Sequence, residues 1–151
     1  DRLIGTRDFV HKNGSVYNES SHGTSCLSLM AGNIPDKYVG TAPLASYFLC
    51  RTEDVSSENM IEEYNWVSAA EFLDSIGIDI ISTSLGYVDF DLPQWDHVYS
   101  DLDGETSVIT IGSEIACSKG ILCVTSAGNE GGTSFPHVQK LGLSKPNKHS
   151  K

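Results

Sequence analysis

The stretch Ile121-Leu122-Cys123-Val124-Thr125-Ser126-Ala127-Gly128-Asn129 decides the class of fold. Its first six residues form an apolar, branched run preceded by Gly120 and stopped by Gly128. That is the pattern of a strand buried in a parallel sheet. Two runs of the same kind precede it, residues 46–50 after Pro43 and residues 78–84 ending at Gly86. Helical patterns lie between them. Residues 57–76 contain no Gly or Pro, with Ser57 as cap and an apolar arc of Met60, Ile61, Tyr64, Val67 and Phe72; Trp66 and Leu73 fall off that arc, so cover on more than one side is expected. Residues 106–119 form a second helix, with Val108, Gly112, Ile115 and Ala116 on one side and Gly120 as its stop. A shorter helix fits residues 22–31, stopped by Gly32. Strand and helix alternate, so the expected class is α/β with a mostly parallel sheet. Residues 87–105 are a long, irregular, acidic loop, of the kind that often lines a binding site.

Composition bounds the function. The 151 residues suffice for one domain with a real core, and 39% hydrophobic with 20% charged residues excludes a disordered chain. No apolar run approaches the roughly 20 residues of a membrane span, and no signal peptide is visible at the N-terminus. A net charge of −10 argues against a nucleic-acid partner. All 20 acidic residues lie at or before Glu130, whereas Lys140, Lys145, Lys148 and Lys151 crowd the end, which marks residues 137–151 as a divergent basic tail. The cysteines at 26, 50, 117 and 123 lack any C-x-x-C spacing and read as free, buried thiols.

Four short motifs carry the chemistry. His22-Gly23-Thr24 opens the first helix, where the glycine lets other backbone approach the ring. Gly40-Thr41-Ala42-Pro43-Leu44-Ala45 leads into a strand. Ser84-Leu85-Gly86 follows the second strand, and Ser126-Ala127-Gly128-Asn129 the third. Each is ordinary turn chemistry alone. Together, in this order and on these elements, they resemble the subtilisin family of serine peptidases over roughly residues 3–136.

The resemblance implies a doubly wound, mostly parallel sheet with helices on both faces, present here incompletely: residues 1–136 would be the central part of a peptidase domain. It implies that His22 is the general base and that the Asn129 amide is the oxyanion donor, just past the carboxyl end of a strand. Ser84, Leu85 and Gly86 would pair with the backbone of an extended polypeptide substrate. Ala127 and Gly128 would form the facing wall of the pocket before the scissile bond. The family's location would be extracellular or the cell envelope.

The family mechanism needs Asp, His and Ser in that chain order. Upstream of His22 stand only Asp1 and Asp8, neither in a D-[ST]-G context. Gly132-Thr133-Ser134 spells part of the nucleophile motif but lies five residues from Asn129, with Phe135-Pro136 where a helix should begin. Ser134 is therefore read as a decoy. The expectation is a fragment holding His22 and Asn129, which alone hydrolyses no peptide bond and is marginally stable or self-associating through an exposed sheet edge. The alternative is a non-catalytic module that binds extended peptides.

No cofactor is expected. Subtilisin relatives often bind calcium, but Asp101-Leu102-Asp103-Gly104-Glu105 lacks the spacing of a calcium loop and reads as solvated. His11 and His22 have no companions for zinc, so no metal site is assigned. Asn18-Glu19-Ser20 is a glycosylation triplet only if the chain enters a eukaryotic secretory route, and otherwise a polar loop.

Overall fold

Residues 122–125 do form a strand, and its partner is the run at 80–83. The computed structural model describes residues 2–129, which fall into two compact units, Asp1–Val55 and Ser56–Lys151. The basic tail and the Gly132-Thr133-Ser134 triplet lie outside the described residues.

The first unit holds β1 (Leu3–Asp8), α1 (His22–Ala31), the two-residue strands β2 (Asn33–Ile34) and β3 (Tyr38–Val39), and β4 (Tyr47–Arg51). β1 pairs parallel with β4, and β2 pairs antiparallel with β3. β1 settles the place of Asp8, which ends a strand. The Asp8 carboxylate accepts the N–H groups of Val10 and His11 and meets Arg51 of β4 at 3.1 Å.

The second unit holds α2 (Ile61–Ser75), β5 (Ile80–Thr83), α3 (Val108–Ser118) and β6 (Leu122–Thr125). β5 and β6 pair parallel, Ile80 to Leu122 through Thr83 to Thr125, so β5, α3 and β6 form a βαβ unit. The chain is α/β. Both helices of this unit lie on one face of the pair. The Trp66 Nε1–H of α2 donates to Thr83 Oγ1 at 3.0 Å, and the Cys123 thiol, on the same face, reaches the Ser113 carbonyl of α3. The other face is open among the described residues: Ile80, Leu122 and Val124 are 54%, 58% and 48% exposed. These strands are therefore covered on one side, not buried on both as their unbroken apolar pattern predicts.

α2 differs from the expectation in length and in face. It starts at Ile61 rather than Ser57, because Glu58 is bonded outward: its N–H meets Asp91 Oδ2 and its carbonyl accepts the Asp91 N–H. Its buried side is Glu62, Glu63, Trp66, Ala69, Ala70 and Leu73, while Ile61 and Tyr64 of the expected arc are exposed. Two buried carboxylates on the inner face hid the true stripe. On α3, Ile109, Thr110, Gly112, Ser113 and Ala116 are buried, and Ile115 points to solvent. Gly112 is where the helices come closest: a Cβ there would stand 2.6 Å from Val67 Cγ2 of α2. Gly120, at φ +99°, ends α3 as expected. All four cysteines are free; Cys117 is exposed rather than buried, and the other three are half-buried.

Candidate active site

Two parallel neighbours carry their following residues to the same end of a sheet. The β5–β6 ladder stops at Thr83 and Thr125, and the Ser126 N–H adds one further bond to the Thr83 carbonyl at 2.9 Å. Ser84, Leu85 and Gly86 continue from one strand, and Ala127, Gly128 and Asn129 from the other. The second turn is built by its own residues. Ser126 Oγ accepts the Gly128 N–H at 3.0 Å, and Gly128 takes φ +77°, which a side chain would disfavour. Asn129, Ala127 and Ser84 are exposed, and Leu85, Gly86 and Gly128 are half-buried. The structure thus brings six of the seven expected site residues to one edge.

The seventh, His22, belongs to the other unit. It is the first residue of α1 and exposed, its N–H on Ser20 Oγ at 3.2 Å and its Nε2 3.5 Å from Cys26 Sγ, one helical turn on. Outside its chain neighbours and its own helix backbone, no described atom lies within 4 Å of where a Cβ on Gly23 would stand. Asp8 is engaged by Arg51, His11 and Val10. Burial works to raise its pKa, but the His11 and Val10 N–H groups and the Arg51 guanidinium outweigh it and hold the carboxyl below its ordinary 3.8. Among the described residues no group of three or more His, Cys, Asp or Glu side chains could hold a metal ion.

Sequence reasoning missed the most strongly built polar cluster. Glu63 of α2 is fully buried, with Oε1 at 2.5 Å from His97 Nε2. Its Oε2 accepts the Ser107 hydroxyl and the Ile109 N–H, each at 3.1 Å. Ile109 lies in the first turn of α3, so a carboxylate from α2 caps α3. His97 in turn closes the acidic loop that follows Gly86: its N–H meets the Val88 carbonyl at 2.8 Å, and its ring stands edge-on to Phe90 at 5.5 Å. Burial pushes the Glu63 pKa up, but the bonds from His97, Ile109 and Ser107 outweigh it and leave the carboxyl below its ordinary 4.5. The hydrogen bond to Glu63 raises His97 above its ordinary 6.5 against the cost of burial, with the Glu63, Asp101 and Asp96 charges adding to the rise. A lone Glu in a helix and a lone His in a loop, 34 residues apart, carry no local signal of this pairing.

The Subtilase family model matches residues 4–150. Among curated proteins, the chain is 30% identical to subtilisin-like protease SBT4.12 of Arabidopsis thaliana over 91% of its own length, and 33% identical to SBT4.10 of the same plant over 87%. It is 29% identical to the C5a peptidase of Streptococcus pyogenes over 95% of its length. It spans 18% of the length of either plant relative and 11% of the streptococcal one.

Proposed function

Because the chain belongs to the subtilase family, we propose that it is the central part of the catalytic domain of a secreted or cell-envelope serine endopeptidase. The complete domain on this reading has one doubly wound sheet with helices on both faces. A serine nucleophile and an aspartate act with the residues present here. His22 takes the proton of the serine hydroxyl as it attacks the scissile carbonyl, then returns it to the leaving amine. Asn129 donates its side-chain amide to the oxyanion that develops on that carbonyl. Ser84, Leu85 and Gly86 pair with the substrate backbone on one side of the cleft, and Ala127 and Gly128 wall the other. A strip that recognises backbone accepts many sequences in extended form.

The observation that carries the reading is the parallel pairing of β5 with β6, whose ladder ends immediately before Ser84 and one residue before Ser126. Open α/β sheets bind ligands outside the carboxyl ends of their strands.

The test begins with the coding DNA on either side of the segment. The expected outcome is an open frame that continues into a D-[ST]-G strand upstream and a G-T-S-M-A helix downstream. The protein expressed from that frame should hydrolyse a denatured protein substrate. His22→Ala should lower kcat by at least about 10⁴-fold, and Asn129→Ala by about 10²–10³-fold with little change in KM. Peptide binding without turnover in the wild type would overturn the peptidase reading and leave a binding module.

A further inference from the structure

We infer that Cys117 and Cys123 are a dithiol that closes to a disulfide, tying the last turn of α3 to β6. Three observations bring the two residues together. The Cys123 Sγ lies 3.9 Å from the Ser113 carbonyl, the same carbonyl that accepts the Cys117 N–H in a regular helix, four residues on. The turn between helix and strand is tight and fixed: the Gly120 N–H bonds the Cys117 carbonyl at 3.0 Å, the Ile121 N–H bonds the Ala116 carbonyl at 3.2 Å, and Gly120 sits at φ +99°. That turn folds β6 back over the helix end. The Cys117 side chain is near enough to the Cys123 thiol to help push its pKa up. Disulfides need Cα atoms within about 7 Å and side chains that converge, which a strand folded onto its own helix supplies.

The two thiols have different roles. Cys117 is exposed and meets an oxidant first. Cys123 is half-buried; burial, then the Cys117 side chain and the Glu114 carboxylate, push its pKa up to about 12. With a low-molecular-weight disulfide such as oxidised glutathione, the Cys117 thiolate attacks one sulfur and expels a glutathione thiolate. The Cys123 thiolate then attacks the Cys117 sulfur, forming the protein S–S bond and expelling the second glutathione. Two protein thiols are oxidised and the glutathione disulfide is reduced to two thiols, which take up the two protons released. The second step follows the thiolate fraction of Cys123. Well below its pKa that fraction rises about tenfold per pH unit.

The sequence makes the test unambiguous. No Lys or Arg lies between Arg51 and Lys119, so trypsin places each cysteine on its own peptide: residues 13–37, 38–51, 52–119 and 120–140. The native chain is treated with oxidised glutathione, quenched with a thiol-blocking maleimide at intervals, and mapped without reduction. The expected product links peptide 52–119 to peptide 120–140, preceded by a glutathione adduct on 52–119. The adduct should resolve faster at pH 9 than at pH 7. Cys123→Ser should halt at the adduct. Persistence of the adduct in the wild type at both pH values would overturn the assignment. So would links to the peptides of Cys26 or Cys50, or linkage only in denaturant.

Discussion

At Glu63 a single carboxylate holds three partners from outside its helix: His97, the Ser107 hydroxyl and the Ile109 N–H. Removing it leaves the half-buried His97 ring and two further donors unanswered. Glu63→Ala should therefore lower unfolding free energy by about 3–5 kcal/mol in urea titrations, and Glu63→Gln, which keeps one acceptor oxygen, by about 1–3 kcal/mol. The pair also sets a pH window. Folded His97 binds its proton more tightly than its ordinary 6.5 allows, so its contribution is complete below 6.5 and is lost as pH rises through its elevated folded value. Folded Glu63 releases its proton more readily than its ordinary 4.5 allows, so its contribution is present above 4.5 and is lost as pH falls through its depressed folded value. The urea-midpoint gap between wild type and Glu63→Gln should be widest between pH 4.5 and 6.5 and narrow on either side. A gap that widens above pH 7 would show that the His97 charge plays no part.

Among the elements, α2 meets α3 closely at one small residue and β5 through one indole. Gly112→Ala puts a methyl 2.6 Å from Val67 Cγ2, so it should cost about 1–3 kcal/mol despite the better helix propensity of Ala. Val67→Ala in the same chain should return part of that loss, a coupling that a double-mutant cycle measures. Trp66→Phe removes the buried bond to Thr83 Oγ1 and should cost about 1 kcal/mol. Existence and order of these elements were legible in the sequence, because Gly86, Gly120 and Gly128 punctuate apolar runs. The inward face of α2 was only partly so: Glu62 and Glu63 count as polar in any periodicity, yet they are the most deeply buried side chains of the helix, Glu62 on the Asn59 N–H and Glu63 on its tertiary partners. The open face of β5 and β6 was illegible for the opposite reason. Exposed Ile80, Leu122 and Val124 carry the same apolar signal as buried ones.

Among the described residues the apolar core lies in one unit. Every described apolar side chain that is fully buried, from Trp66 to Ile121, lies in the unit Ser56–Lys151. Asp1–Val55 relies on two strand pairs and the Asp8–Arg51 contact. Expressed separately, residues 56–151 should melt cooperatively, and residues 1–55 should show coil-like circular dichroism with collapsed amide dispersion. A cooperative melt from residues 1–55 would refute that division. Site motifs were readable here because strand ends and helix starts bear them locally. The Glu63 carboxylate at the start of α3 has a consequence in time. A short helix in water pays for its own nucleus and rarely persists. α3 receives its first-turn acceptor from a residue 46 positions earlier, so it can consolidate only after α2 has formed and docked. Folding of this unit should then run from α2 outward, and substitutions at Ile109 should speed unfolding while leaving the folding rate nearly untouched.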